Sequence, residues 1–136
     1  MPPRDAYILK SSEDGKRHIC IDKKNETDIL RFLQEDKIRV KKFKQISAMI
    51  LQGIRNTELY DKEEIDSKSK NVTAMKMFKG GHNIRLYCKE QSNSEGKFYV
   101  IVSELVPKKK DRKVKGKIKT LIQTVGSYEY KIIERE

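Results

Sequence analysis

Three apolar, β-prone segments joined by short turns constrain the fold of this chain more than any other feature. Residues 72–78, 83–89 and 97–106 are rich in β-branched, aromatic and methionine side chains. Gly80-Gly81 separates the first two segments, and residues 92–96 separate the second from the third. Because strands joined by such short turns pair with each other, the pattern predicts an antiparallel meander.

Helical periodicity precedes this meander. Apolar residues recur at helical spacing in residues 26–36, with Asn25 as a candidate N-cap. They do so again in residues 40–52, which Gly53 follows as a natural C-terminal cap. Because the two helices are so close in sequence, they are expected to form a helical hairpin.

The two ends of the chain carry weaker patterns. Residues 6–10 and 17–21 are short β-like runs on either side of a Glu-Asp-Gly turn, which favours a hairpin. Residues 113–125 have the spacing of a C-terminal helix that Gly126 would end. The length of 136 residues predicts one domain. Its expected parts outside the main fold are an N-terminal extension or hairpin (1–25) and a C-terminal tail or short last strand (127–136).

A surplus of positive charge limits the classes of partner that the chain is expected to bind. The formal net charge is +11 and the pI is about 9.6. Such a surplus attracts nucleic acid, the ribosome, acidic proteins and anionic membranes, although a protein that is merely basic and soluble is also compatible with it. The longest apolar run, Phe98 to Val102, is too short for a membrane span, and Met1 to Asp5 lead into no signal-like segment. We therefore expect a cytoplasmic protein with no membrane partner.

Side chains that usually hold metals or cofactors are sparse. Cys20 and Cys88 form no motif and are expected to be free thiols. His18 and His82 are far apart and have no partners at ligand spacing, which argues against zinc. Lys79-Gly80-Gly81 lacks the full glycine-rich pattern of a phosphate-binding loop, and no paired carboxylates stand beside the basic residues. We therefore expect neither a metal nor a cofactor.

The Gly80-Gly81 turn fixes the register of the first hairpin of the meander. A two-residue loop pairs Lys79 with His82, and counting back pairs Lys76 with Arg85. Like charges directly opposite on a sheet are destabilising, and such violations are expected at functional sites. A bound phosphate would relieve the repulsion, whereas the alternative is that both side chains extend into water. The predicted core face carries Met75, Met77, Ile84, Leu86 and Cys88, and the opposite face carries Lys76, Phe78, Arg85, Tyr87 and Lys89.

A run of basic residues follows the last strand of the meander. It consists of Lys108 to Lys110, Arg112 and Lys113, and is continued by Lys115, Lys117 and Lys119. Such a run usually forms a solvated face or a nonspecific phosphate contact. This one would belong to a specific site only if it shared a cleft with Lys76 and Arg85.

The order of these motifs over residues 40–119 resembles the RelE/ParE superfamily of bacterial and phage toxins, nearest the RelE/HigB (phage Gp49-like) branch. The helical hairpin ending at Gly53 is followed by a polar loop and by a strand, Asn71 to Phe78, that is similar to the family's strand ending in a basic residue. Residues 80–87 look like its glycine turn and its strand with an arginine and a tyrosine. Phe98 to Val106, followed by Lys108-Lys109, looks like its final strand and lysine pair.

The resemblance implies a fold and an activity. The fold is α+β, with two N-terminal helices packed on a twisted antiparallel sheet and a C-terminal helix. The activity is that of a type II toxin–antitoxin system: metal-independent cleavage of mRNA on the ribosome, with 16S rRNA and an acidic antitoxin protein as further partners. The alternatives are a ParE-like gyrase inhibitor without catalysis and a plain RNA-binding module. The expected catalytic residues are Lys76, Arg85, Lys108 and Lys109, and the expected RNA contacts are Lys79, Tyr87, Lys110, Arg112, Lys113 and Lys115. A late tyrosine or histidine of the family has no clear match, and Tyr128 and Tyr130 are its candidates.

Overall fold

A single seven-stranded sheet organises the molecule. The computed structural model describes residues 3–63, 66–77, 84–106 and 116–134, which contain seven strands, three α-helices and a 3₁₀ turn at Ser67–Ser69. The first elements are β1 (Arg4–Ser11), β2 (Arg17–Asp22), α1 (Glu26–Gln34), α2 (Lys37–Leu51) and β3 (Tyr60–Lys62). The later elements are β4 (Val72–Lys76), β5 (Arg85–Ser92), β6 (Phe98–Val106), α3 (Lys117–Ser127) and β7 (Tyr130–Ile133).

The strands are arranged in the order β3-β4-β5-β6-β2-β1-β7. The β4-β5-β6 meander is antiparallel, and β4 pairs with β5 in the predicted register, so that Lys76 opposes Arg85. The hairpin predicted near the N-terminus is also present, because β1 pairs with β2 antiparallel. The meander, its register and this hairpin are therefore confirmed.

The predicted fold class is wrong, because the sheet is mixed and begins before the helices. Strand β2 lies parallel to β6, and β1 lies parallel to β7. The residues expected to be an N-terminal extension thus supply two strands of the sheet, and α1 and α2 follow them. The burial of β2 explains its central place. Every residue from His18 to Asp22 is buried, and a strand covered on both faces needs neighbours on both edges.

Helices cover both faces of the sheet. On one face, α1 and α2 pack through apolar side chains that include Ile29, Leu33, Ile46 and Ile50. On the other face, α3 contributes Ile122 and Val125, both fully buried. Burying a side chain of this kind stabilises the fold by roughly 1.5–3 kcal/mol. The face of β4 and β5 that bears Lys76 and Arg85 is therefore largely a second core beneath α3.

The helix ends differ in detail from the predictions. Asn25 is the N-cap position of α1, but its side chain makes no cap hydrogen bond; its Nδ2 instead donates to the Ser103 carbonyl oxygen at 2.7 Å. Helix α2 begins at Lys37 because the Asp36 carboxylate accepts from the Ile38 backbone N–H at 2.9 Å. Gly53 has φ 73°, as its predicted capping role requires.

Gly126 does not end α3, as was predicted, but lies inside it. The helix continues to Ser127, and a Cβ atom built on Gly126 would lie 2.0 Å from the Lys68 carbonyl oxygen. The glycine is thus the point of close approach between α3 and the Ser67–Ser69 turn. Within the described residues, no helix combines the length and the apolar character needed to cross a membrane.

Candidate functional site

The cation pair predicted from the turn register lies at the ends of β4 and β5. Lys76 and Arg85 are Cα partners, and each side chain is half-buried. Both lie on the α3 face of the sheet, since Ala74 and Tyr87, which precede and follow them by two residues, belong to the core under α3. Among the described residues, the Lys76 Nζ donates one long hydrogen bond, 3.4 Å, to the Thr57 carbonyl oxygen. Two positively charged residues thus occupy paired positions at the ends of β4 and β5.

Arg85 has a donor that the described part of the chain leaves unused. Its Nε is buried and has no hydrogen-bond partner among residues 3–63, 66–77, 84–106 and 116–134. A buried donor without a partner costs free energy on the order of 1–3 kcal/mol, so native structures retain few of them. Arg85 as a whole residue is only half-buried, and its guanidinium is a preferred donor to phosphate oxygens.

In the sequence, the basic run follows closely after the strand residue that pairs with Arg85. Val106, the last residue of β6, is the Cα partner of Arg85, and Lys108 follows it by two residues. Seven of the predicted site residues lie outside the described residues, and their predicted roles stay predictions: Lys79, Lys108, Lys109, Lys110, Arg112, Lys113 and Lys115. The structure therefore describes Lys76 and Arg85, two of the four predicted catalytic residues. The other two, Lys108 and Lys109, belong to the segment that follows Val106 in the sequence.

Tyr87, predicted as an RNA contact, is packed in the core beneath α3. Only 1% of its surface is exposed, so its ring offers no free face on which a base could stack. Burial raises its pKa to about 12; the charge of Glu63 also raises it, and Arg85 acts in the opposite sense. The hydroxyl therefore stays protonated at neutral pH. Glu63 is a charged neighbour that we did not anticipate, because it belongs to an acidic stretch whose composition indicates a solvated loop.

A second polar cluster was not predicted at all. The Asp22 carboxylate is fully buried and accepts four hydrogen bonds, two at each oxygen. Oδ2 accepts from Arg4 Nε at 2.8 Å and from the Tyr130 hydroxyl at 2.7 Å. Oδ1 accepts from the backbone N–H groups of Lys24 at 2.7 Å and Asn25 at 3.1 Å. Because all its acceptor positions are filled, this carboxylate links elements of the fold and is not free to act as a base.

The surroundings of Asp22 include both late-chain tyrosines. Ser103 Oγ lies 2.9 Å from the Tyr130 hydroxyl, and the Tyr128 hydroxyl donates to Glu104 Oε1 at 2.8 Å. Burial and the hydrogen bond with Glu104 raise the pKa of Tyr128 to about 12. Burial would lower the pKa of Arg4, but the hydrogen bond with Asp22 and the charge of that carboxylate together outweigh it, so the pKa is raised. A cleft of about 800 Å³ borders the cluster. Both hydroxyls are thus engaged by carboxylates.

The cysteines and the described histidine are buried. Burial raises the pKa of Cys20 to about 12 and also raises that of Cys88, so both thiols stay protonated and are poor nucleophiles. His18 stacks on Tyr99 with ring centroids 4.9 Å apart, and its Nδ1 lies 2.7 Å from Ser11 Oγ. In the parts of the chain that the structure describes, no group of three or more His, Cys, Asp or Glu side chains could hold a metal ion.

The Lys76–Arg85 pair is therefore the best candidate for a functional site, and the Asp22 cluster is an internal link. Comparisons with protein-family models, with curated proteins and with solved structures found no match for this chain.

Proposed function

We propose that this protein is the toxin of a type II toxin–antitoxin system and cleaves mRNA on the ribosome without a metal ion. The observation that carries the proposal is the Lys76–Arg85 pair with the buried, unpartnered Arg85 Nε among the described residues. The motif order resembling RelE and HigB toxins and the net charge of +11 support it. An acidic antitoxin, mRNA and 16S rRNA are the partners, and the cytoplasm is the location, that this proposal implies.

The chemistry asks the pair to bind a phosphate whose charge grows during the reaction. In metal-free RNA cleavage the ribose 2′-oxygen attacks the adjacent phosphorus, loses its proton to a base, and the 5′-oxygen leaves with a proton from an acid. Arg85 would donate guanidinium N–H groups to the phosphate oxygens, and Lys76 would supply the second positive charge. The resemblance assigns proton transfer to Lys108 and Lys109.

Two other functions use the same positive charge. A ParE-like gyrase inhibitor would need no phosphate at Arg85, and a plain RNA-binding module would hold a phosphate without cutting. Both are separated from the proposal by cleavage: only the nuclease shortens a message on translating ribosomes. A supercoiling assay with purified gyrase identifies the first alternative, and ribosome binding without cleavage identifies the second.

The decisive experiment replaces Arg85 by alanine. We expect mRNA cleavage on translating ribosomes to fall by roughly a hundredfold or more, because a donor to the developing charge is lost. The melting temperature should hold or rise slightly, because the change removes both a cation–cation repulsion and an unpaired buried donor. Lys76→Ala should behave alike. Cleavage and a thermal melt are measured on the same samples.

Arg31→Ala is the matched control, since Arg31 is an exposed arginine on α1. It removes the same charge and should leave cleavage close to the wild-type rate. Full activity of Arg85→Ala would refute the proposed role of the pair. Lost activity with a collapsed melt would make Arg85 a structural residue, and the catalytic assignment would be withdrawn.

A further inference from the structure

Helix α2 has an unusually one-sided charge. Its 15 residues include five basic side chains and no acidic one. All five lie in its N-terminal half, and none lies in the last turn. The N-terminal end of a helix carries partial positive charge, which disfavours cations there. Lys37 and Arg39, which lie in the first turn, are thus placed against the local electrostatics of the helix. The basic residues are Lys37, Arg39, Lys41, Lys42 and Lys44.

One of these cations is used within the fold. The Arg39 guanidinium lies 3.9 Å from the centre of the Phe32 ring. Its Nη1 donates to the Phe32 carbonyl oxygen at 2.8 Å and lies 3.6 Å from Glu35 Oε2. Arg39 therefore joins α1 to α2, and its place in the first turn has a structural reason.

Three others form an exposed row, which we call the α2 lysine stripe: Lys37, Lys41 and Lys44. Their spacing of four and three residues puts them on one side of the helix, where like charges repel each other. All three are exposed, and none forms an ion pair with any residue in 3–63, 66–77, 84–106 or 116–134. Ile38, which is 62% exposed, lies beside them. No contact in the described chain offsets the repulsion within the stripe.

The stripe lies on the other side of the sheet from the candidate site. Helix α2 packs on the face that carries Ile46 and Met75 in its core, whereas Lys76 and Arg85 belong to the face covered by α3. The sheet therefore separates two positive surfaces. A single phosphate, or two neighbouring ones, cannot bind to both.

We propose that the α2 lysine stripe binds the sugar–phosphate backbone of a second RNA segment, distinct from the one whose phosphate lies between Lys76 and Arg85. Phosphates spaced along a backbone match a row of lysines and remove the repulsion within it, and lysine side chains hold phosphates without reading sequence. The inference rests on the proposed function in taking RNA as the ligand and the Lys76–Arg85 pair as the site of the first segment, and it requires no cleavage. The protein would then hold two RNA segments at once.

The first test neutralises the stripe with the triple variant K37Q/K41Q/K44Q. The probe is a short fluorescent RNA duplex without ribosomes, titrated over a series of salt concentrations. We expect the slope of log Kd against log salt to become shallower by about 2 to 3, because each phosphate contact contributes about 0.9. The matched control, K10Q/K16Q/K131Q, removes the same charge from exposed lysines elsewhere and should leave the slope nearly unchanged. Equal slopes for the two variants would overturn the proposal.

The second test asks whether two segments bind together. An immobilised RNA duplex should retain a labelled single-stranded RNA only when the wild-type protein is present. The stripe variant should lose this bridging and still bind the single strand, whereas Arg85→Ala should lose the single strand and keep the duplex. Bridging that survives in the stripe variant would contradict the proposal.

The same variant separates RNA from an acidic protein as the occupant. If K37Q/K41Q/K44Q lost binding to poly-glutamate but kept the duplex, the stripe would be a protein-binding surface and the proposal would be wrong. Its melting temperature should equal or exceed that of the wild type, because a cation is removed from the first turn. The salt titration depends neither on cleavage nor on RNA binding at Arg85, so the proposed function can fail without affecting that result.

Discussion

At the scale of single residues, the buried carboxylate of Asp22 links three strands of the sheet. It joins β2 to β1 through Arg4 and to β7 through Tyr130. Hydrogen bonds to a charged acceptor in the interior are stronger than those between neutral groups, because low polarity around them increases the electrostatic attraction. Strands β1 and β7, which lie outside the main fold expected from the sequence, are therefore held by a polar contact as well as by apolar packing.

Tyr130→Phe tests this link. The change removes a hydroxyl that donates to Asp22 at 2.7 Å and leaves the ring in place. We expect the free energy of unfolding to fall by about 1.5–3 kcal/mol, the usual worth of a hydrogen bond to a charged group. Tyr99→Phe is the control, because within the described part of the chain the Tyr99 hydroxyl accepts one 3.3 Å bond from Asn93 Nδ2 and contacts no carboxylate. Urea unfolding measures both, and equal losses would show that the carboxylate contact has no special weight.

The candidate pair itself could be predicted from the sequence only in part. The turn register gave Lys76 opposite Arg85, because pairing across a short turn depends on counting residues. The burial of Arg85 Nε and of the Tyr87 ring could not be foreseen, since both depend on how α3 covers that face. The Asp22 cluster could not be predicted either, because the partners Arg4 and Tyr130 are distant from Asp22 in sequence.

At the scale of elements, the position of α3 depends on one glycine. The helix passes so close to the Ser67–Ser69 turn that a Cβ on Gly126 would meet the Lys68 carbonyl oxygen at 2.0 Å and the Ser69 Cα at 2.9 Å. Both are backbone atoms, which cannot rotate away. The absence of a side chain at Gly126 therefore sets the distance between α3 and this turn.

Gly126→Ala should therefore destabilise the protein although alanine favours helices. Alanine in a helix interior gains about 0.5–1 kcal/mol over glycine, but forced overpacking costs typically 1–3 kcal/mol. We expect a net loss of stability in urea unfolding. Thr120→Ala, at an exposed position of the same helix, is the control and should be neutral or slightly stabilising. A stabilised Gly126→Ala would show that α3 moves away from the turn without cost.

The elements were more predictable than their assembly. The helices, the meander and the N-terminal hairpin follow from periodicity and turn residues, which are local. The pairing of β2 with β6 and of β1 with β7 is between segments far apart in sequence, and no local pattern specifies it. The apolar segment Ile19-Cys20-Ile21 of β2 indicates burial on both faces, but it does not specify which strand pairs with β2.

At the scale of the whole molecule, the buried phenols and thiols make the fold sensitive to alkali. Burial raises the pKa of six such groups: Cys20, Cys88, Tyr60, Tyr87, Tyr128 and Tyr130. Each holds its proton in the folded chain at a pH at which the unfolded chain has released it. The folded state thus binds more protons, so its stability must fall as pH rises. Lys89, whose pKa burial lowers, acts in the opposite direction but is one group.

We accordingly expect the free energy of unfolding to decrease from about pH 9, the ordinary pKa of a thiol, towards about pH 12. Urea titrations at a series of pH values measure it. Replacing Cys20 and Cys88 together by alanine should flatten the first part of the decline, below the ordinary tyrosine pKa of 10.0, and leave the later part. An unchanged slope in that first part would mean that the thiols do not contribute.

The parallel strand pairs also decide when the protein can finish folding. A ribosome makes the β1–β2 hairpin first, at roughly 5–20 residues per second, and the outer neighbours of both strands, β6 and β7, come last. Until then each strand has an open edge, which is where other chains can add. The nascent hairpin therefore exposes two unpaired strand edges until β6 and β7 have been made. The parallel pairs form only after these strands have left the ribosome, so a chaperone that covers the hairpin during synthesis would protect it from pairing with other chains.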